Sequence, residues 1–172
     1  MQDSPISILG IVLPSSDPSF LALVSVHVMV ALVAVVSGAI AMLSRKGPGR
    51  HPRTGTIYYW ALALVVATAT ALAIVRWPED NYLIVLGLAA FAAASLGRWA
   101  KRRLWPLRLH IAAMGSSYIV MLIAFYMDNG KSLPLWRDLP EWAYWALPSL
   151  VGAPILVWVL IWHPLVRRAR QP

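Results

Sequence analysis

The feature that most constrains this chain is a series of apolar runs long enough to cross a membrane. From Phe20 to Leu43 no residue is charged at neutral pH, and about 18 apolar residues in a row already indicate a transmembrane helix. Four more apolar runs follow, separated by polar or basic segments. The predicted spans are about 20–43, 57–75, 82–96, 109–127 and 144–162, of which the third is the shortest.

The composition supports the same fold class. Of the 172 residues, 59% are hydrophobic and only 13% are charged, whereas charged residues make up about a quarter of an ordinary soluble domain. The absence of cysteine excludes disulfides, thiolate metal sites and cysteine nucleophiles. We therefore predict an all-α integral membrane bundle of five transmembrane helices, a single domain that covers residues 20–163.

Residues 1–19 and 164–172 flank this domain. The apolar piece Ile6–Leu13 is too short to span a membrane, so the first segment is predicted to lie outside, at the interface or against the bundle. It lacks the basic start and the cleavage site of a signal peptide. Asp17 followed by Pro18 is typical of a helix start, with the aspartate as cap and the proline in the first turn. The last segment is a basic tail.

Lysine and arginine are distributed unequally among the segments that connect the spans. Residues 45–53, 98–108 and 167–170 carry four, five and three of them, whereas the segments on the opposite side carry three in all and contain all seven acids. Cytoplasmic loops carry the excess of lysine and arginine, so we expect the cell membrane, with the N-terminus outside and the C-terminus in the cytoplasm. Topology then explains the net charge of +8. The expected partner is anionic lipid at the cytoplasmic face, and not nucleic acid.

His27 is the one ionisable side chain well inside a predicted span. Helical spacing places it on the same face as Ala31, Ala34, Gly38 and Ala41, so it should point into the bundle. An ionisable group inside the membrane is a candidate for function. The alternative is a neutral histidine that is hydrogen-bonded to serine, threonine or a backbone carbonyl on a neighbouring helix.

His51, His110 and His163 are all predicted to lie near the cytoplasmic face. A haem shared by His27 and His110 is disfavoured, because the helical rise separates their depths by more than about 10 Å. His51 with His110, or His110 with His163, are the pairs able to meet. No metal-ligand spacing such as HExxH is present, so no metal site is predicted. Haem is kept as the alternative cofactor, with His27, His51 and His110 as its candidate ligands.

Arg45 to Tyr58, between the first two spans, concentrates basic side chains without any acid. Topology explains this charge, but it does not explain the spacing of His51, Gly55 and Tyr58 opposite a second basic connector that leads to His110. A site for a small ligand or a lipid is therefore expected on this face. The candidate binding residues are Arg45, Arg53, Tyr58, Arg103, Ser117 and Tyr118.

Small residues four positions apart predict where membrane helices approach each other closely. Such packing leaves little volume for a wide channel. The sets are Ala34/Gly38 and Ser37/Ala41 in the first span, Ala63/Ala67/Ala71 in the second, Ala89/Ala93/Gly97 in the third and Ala112/Ser116 in the fourth.

Several of these residues also carry a likeness to a known family. They are His27, Arg45-Lys46-Gly47, His51-x-Arg53-x-Gly55-x-x-Tyr58 and His110-x-x-Met114-x-x-Ser117-Tyr118. Over residues 20–127 the chain resembles a family of small multi-spanning bacterial membrane proteins known as a domain of unknown function. Its members commonly carry arginine where this chain has Ser116 and a basic residue where it has Pro52. The resemblance implies a multi-pass membrane fold and no particular activity.

Three functional hypotheses follow. No P-loop, GxSxG or paired-carboxylate arrangement occurs, which disfavours an enzyme, and no catalytic residue is assigned. No aspartate, glutamate or lysine falls inside a span, which disfavours a proton-coupled transporter. The favoured hypothesis is a non-catalytic membrane protein that binds a small ligand or lipid, or a subunit of a membrane assembly, as a homo-oligomer or with another membrane protein. The alternatives are a haem-binding electron-transfer protein and a small-solute transporter.

Overall fold

Five long helices dominate the chain and follow a short hairpin. The computed structural model describes residues 6–8, 11–13, 17–75, 81–103, 105–162, 164 and 166. The elements are β1 Ile6–Ile8, β2 Ile11–Leu13, α1 Pro18–Leu43, α2 Arg50–Val75, α3 Asn81–Arg102, α4 Leu107–Asn129 and α5 Glu141–Trp162. All five helices are long and apolar enough to cross a membrane. The prediction of an all-α membrane protein with five transmembrane helices is confirmed.

The helices run further than the predicted spans, because polar residues at their ends continue the helical hydrogen bonding beyond the apolar part. Helix α2 begins at Arg50, well before the predicted start at residue 57, so half of the predicted first connector is helical. Helix α3 continues to Arg102 and has 22 residues, as many as α5. The third helix is therefore as short as α5 and not shorter than all the others, as its predicted span is.

The N-terminal apolar piece forms a secondary structure that the sequence did not predict. Strands β1 and β2 pair antiparallel, with Ile6 opposite Leu13 and Ile8 opposite Ile11. The predicted position of this segment outside the membrane stays a prediction, and residues 1–5, 9–10 and 14–16 lie outside the described residues. So do the predictions for the loop at 76–80, for His163 and for the arginines of the tail.

Helix α1 starts as predicted. The Asp17 carboxylate accepts hydrogen bonds from the backbone N–H of Ser19 at 2.7 Å and of Phe20 at 3.2 Å, and Pro18 occupies the first turn. The Ser19 hydroxyl also donates to it, and this bond is the main reason that the pKa of Asp17 is lowered from its ordinary value. These bonds satisfy N–H groups that have no partner within the helix.

The chain divides into two compact units, of which the first comprises Met1–Ile84 and Ser132–Arg137. Its main feature is the hairpin of α1 and α2. The predicted small-residue face of α1 is confirmed, because the buried residues of that helix are Ala34, Ser37, Gly38 and Ala41.

In α2 the predicted small-residue face is wrong. Ala67 is exposed, whereas the buried side chains include Tyr58, Leu62 and Val66. These three recur at intervals of four residues, so they lie along one face of the helix. The inner surface of α2 therefore combines these large side chains with two alanines outside the predicted set, Ala61 and Ala73.

The second unit comprises Val85–Lys131 and Asp138–Pro172. In it α4 and α5 pack by placing a branched side chain over a glycine, once in each direction. A Cβ added to Gly115 would lie 2.6 Å from Leu156 Cδ1, and one added to Gly152 would lie 2.6 Å from Ile119 Cγ1. Close approach at glycine is how helices associate in lipid, where no hydrophobic effect drives them together.

The small-residue faces of α3 and α4 differ from the prediction by one residue. In α3 the buried residues are Ala90, Ala94, Gly97 and Ala100, so of the predicted set only Gly97 is buried. In α4 the buried residues include Ala113 and Ser117, whereas the predicted ones were Ala112 and Ser116. An alanine-rich helix offers several registers of the same small-residue spacing, and the spacing alone does not choose between them.

Replacing Gly130 by alanine should destabilise the protein. Gly130 ends α4 with helical φ and ψ angles that alanine adopts easily, but a Cβ there would lie 2.5 Å from the ring of Tyr144, which is 2% exposed. We expect Gly130→Ala to cost about 1–3 kcal/mol, the usual range for overpacking. Thermal unfolding of the protein in detergent measures this cost.

The matched control is Gly55→Ala, because Gly55 lies in α2 with no atom within 4 Å of an added Cβ. Alanine should stabilise that helix by up to about 1 kcal/mol. If Gly130→Ala unfolds at the wild-type temperature, the contact between Gly130 and Tyr144 is not as tight as described.

Candidate functional site

The connector between α1 and α2 is short and turns sharply. Helix α1 ends before Ser44 and α2 begins at Arg50. Gly49 reverses the chain with a φ of 106°, a conformation that favours glycine. This tight turn brings the first residues of α2 against the last carbonyl groups of α1.

Two of those carbonyl groups accept hydrogen bonds from two side chains of the connector region. The last four carbonyls of an α-helix have no partner within the helix and attract positive charge. Here the Lys46 ammonium donates to the carbonyls of Ala41 at 3.1 Å and Met42 at 2.7 Å. His51 Nδ1 lies 2.8 Å from the same Ala41 oxygen. Lys46 and His51 therefore close the end of α1.

These hydrogen bonds determine which ring nitrogen of His51 carries the proton, and the helix end affects the pKa of Lys46. A carbonyl oxygen only accepts hydrogen bonds, so the proton of neutral His51 is on Nδ1. Desolvation against the helix end lowers the pKa of Lys46 from its ordinary value, because burial disfavours the charged form. Lys46 is exposed and His51 is half-buried, and both form hydrogen bonds that hold the connector against α1.

His27 is bonded across the same hairpin. Its Nδ1 lies 2.8 Å from the Thr68 hydroxyl oxygen, and that hydroxyl donates its own proton to the carbonyl of Leu64 at 2.8 Å. The hydroxyl must therefore accept from His27 Nδ1–H, which leaves the lone pair of the neutral ring on Nε2. The side chain is half-buried. This is the hydrogen bond to a threonine on a neighbouring helix that the sequence offered as the alternative to a functional role.

His27 and His51 do not share a ligand. His51 is bonded to Ala41, which is 14 residues after His27 on α1, or roughly 20 Å along the helix. Ligands of one metal ion each lie about 2–3 Å from it. Among the residues that the structure describes, no group of three or more histidine, cysteine, aspartate or glutamate side chains is arranged to hold a metal ion.

His110, in the second unit, also bonds a backbone carbonyl of the preceding helix. It lies in the first turns of α4, and its Nδ1 is 2.8 Å from the carbonyl oxygen of Gly97, near the end of α3. A Cβ on Gly97 would lie 2.8 Å from Met114 Cγ, so the two helices approach closely here. The predicted pairing of His51 with His110 involves residues of different units and stays a prediction.

The six predicted ligand-binding residues differ in exposure. Arg45, Arg53 and Arg103 are exposed, and the guanidinium carbon of Arg103 lies 5.8 Å from the centre of the Trp99 ring. Tyr58 and Ser117 are 2% and 0% exposed. The three arginines are therefore accessible to a ligand, whereas Tyr58 and Ser117 belong to the packed interior. The sixth, Tyr118, is half-buried.

An apolar groove next to Arg53 was not predicted. It is open to the exterior and has a volume of about 340 Å³. Helical spacing would have found it, since residues 53, 57, 60 and 64 lie on one face of a helix that begins at Arg50. The lining residues are Val30, Val33, Thr56, Ile57, Trp60, Ala61 and Leu64.

A second unpredicted feature is the guanidinium group of Arg108 at the start of α4. Its Nη2 atom is buried and has no hydrogen-bond partner among the described residues. The side chain as a whole is only partly buried.

No protein-family model, curated protein or solved structure matches this chain. The resemblance drawn from residues 20–127 stays a prediction.

The bond between His27 and Thr68 can be measured by a double-mutant cycle with His27→Ala and Thr68→Val. Hydrogen bonds between membrane helices contribute about 0.6 kcal/mol on average and up to about 1.7. We expect a coupling energy in this range from unfolding in mixed detergent. Thr70→Val is the control, because Thr70 lies on a different face of α2. Equal coupling for both threonines would contradict the described bond.

Proposed function

We propose that this is a non-catalytic protein of the cell membrane that binds an anionic group, a lipid headgroup or a small anionic ligand, at its cytoplasmic face. The proposed orientation has the N-terminus outside and the connectors at 45–53 and 98–108 inside. The unequal distribution of lysine and arginine supports it, since 12 of the 15 fall in these connectors and the tail.

One observation carries the binding proposal. The Lys46 ammonium and the His51 ring are hydrogen-bonded to carbonyls at the end of α1. Arg45, Arg50 and Arg53 of the same connector are exposed, as is Lys46. No aspartate or glutamate occurs anywhere from residue 18 to residue 75. We therefore expect the negative charge that neutralises the three arginines to come from a group outside the hairpin. Phosphate groups match the planar guanidinium, which binds them through two parallel hydrogen bonds.

The haem alternative has less support. Within the first unit the two histidines are too far apart to bind one iron, and both use Nδ1 in bonds that hold the hairpin together. A metal-bound histidine often has such a bond on its other nitrogen, so each remains suited to act as a single ligand. The transporter alternative is not favoured by any described feature.

The binding proposal predicts that phosphatidylglycerol stabilises the detergent-solubilised protein more than phosphatidylcholine does. A ligand that binds the folded state raises its unfolding temperature. The triple variant Arg45→Gln, Arg50→Gln, Arg53→Gln should lose most of the difference, and about 0.5 M salt should weaken it in the wild type. Inorganic phosphate, as a second probe, tests for a small anionic ligand.

Two results would contradict the proposal. One is equal stabilisation of the wild type by the two lipids and no effect of phosphate. The other is a triple variant that keeps the full preference, which would move anion binding away from this connector.

A further inference from the structure

The groove between α1 and α2 is an apolar surface next to positive charge. Ile57, Trp60 and Leu64 line one side of it and are 49%, 60% and 54% exposed, and Val33 on the other side is 45% exposed. Each of these residues lies within a helix long and apolar enough to span a membrane. An apolar groove at that position faces either lipid chains or another helix.

The arginines stand at one end of this groove. Counting back along α2 from Leu64 in helical steps of three or four residues gives Trp60, Ile57, Arg53 and Arg50. Residues with this spacing lie on one face of a helix, so both arginines lie in line with the apolar lining. Arg53 is about one helical turn, or 5–6 Å, beyond Ile57.

The dimensions suit one lipid in one leaflet. From Ile57 to Leu64 the helix rises about 10 Å, compared with about 15 Å for half of the hydrocarbon core. The groove therefore covers the part of an acyl chain nearest the headgroup when Arg53 is at the level of the phosphate. The flexible stem of arginine also allows the guanidinium to reach the polar layer.

From this geometry we infer that the groove and its two arginines form one binding site for an anionic phospholipid. The acyl chain lies along Ile57, Trp60 and Leu64, and the phosphate is held by Arg53 and Arg50. This inference rests on the proposed function and makes it specific, since it names the ligand as a lipid and the apolar groove as part of the site.

Charge favours a lipid over a second copy of the chain. A two-fold dimer formed through this face, with its axis along the membrane normal, would place the arginines of both copies at the same depth and close together. Like charges that meet across an interface are unfavourable. No acidic side chain between residues 18 and 75 is present to compensate them, whereas a phospholipid supplies the compensating charge itself.

The test is native mass spectrometry of the full chain in detergent, titrated with dioleoyl phosphatidylglycerol or dioleoyl phosphatidylcholine. The wild type should bind the anionic lipid more tightly. Arg53→Gln should weaken its binding about fivefold, the effect expected for one cation near a membrane surface. Arg102→Gln removes the same charge from an exposed position at the end of α3 and should change the affinity less than twofold.

The apolar part of the site is tested by filling it. Leu64→Trp should weaken binding of phosphatidylglycerol several-fold, whereas Leu88→Trp on α3 should not; both leucines are 54% exposed, so each variant should fold. If Leu64→Trp binds phosphatidylglycerol as tightly as the wild type while Arg53→Gln binds it more weakly, the groove is not part of the site. The proposed anion binding by the connector then still stands. If Arg53→Gln and Arg102→Gln behave alike and neither lipid is preferred, both proposals fail. A change in dimer content with Leu64→Trp, without a change in lipid binding, would assign the groove to a second copy.

Discussion

The carbonyl groups at the end of α1 constrain how this chain turns into α2. The last carbonyls of a helix have no partner within it, and burying one without a partner is costly. The chain meets this constraint with histidine and lysine. His51 and Lys46 both bond the Ala41 carbonyl, Lys46 also bonds that of Met42, and His110 bonds the carbonyl of Gly97 in α3. The basic residues of the connectors therefore include some that bond a backbone carbonyl, such as Lys46 and His51, and exposed arginines such as Arg45, Arg50 and Arg53.

That distinction changes the interpretation of the first connector. In the sequence, Lys46 and His51 look like members of one cationic cluster with Arg45, Arg50 and Arg53. In the structure Lys46 and His51 are hydrogen-bonded to carbonyls of α1, although Lys46 is still exposed, and the three arginines are exposed as well. Arginine binds phosphate through a planar fork of N–H groups, whereas lysine is a compact point charge. The division of roles is consistent with a surface that binds anionic headgroups.

The sequence predicted the parts of the fold that depend on local signals. The length of each apolar run predicts a helix wherever one is found, and Asp17 with Pro18 predicts the start of α1, because a cap and an N-terminal proline act within a single turn. The buried face of α1 was also predicted, since Ala34, Ser37, Gly38 and Ala41 are small residues that recur at the spacing of one helix face. In α3, alanine occupies so many positions that the correct register is not distinguishable from its neighbours.

The contacts of the candidate site depend on how two helices pack against each other, and no local pattern in the sequence predicts that packing. His27 could be assigned to an inward face, but its partner Thr68 depends on the register of α2 against α1. The groove was missed for a different reason. Its helix was predicted to begin at residue 57, so Arg53 was assigned to a loop and its alignment with Trp60 and Leu64 was not considered.

The central claim is that the exposed arginines of the α1–α2 connector lie on the cytoplasmic side. Because the chain has no cysteine, single cysteines at the exposed positions Gly47 and Ser132 report the orientation directly. With a membrane-impermeant maleimide on intact cells, we predict labelling of Ser132→Cys, and labelling of Gly47→Cys only after permeabilisation. Labelling of Gly47→Cys on intact cells, with Ser132→Cys protected, would contradict the orientation and with it the proposed cytoplasmic binding face.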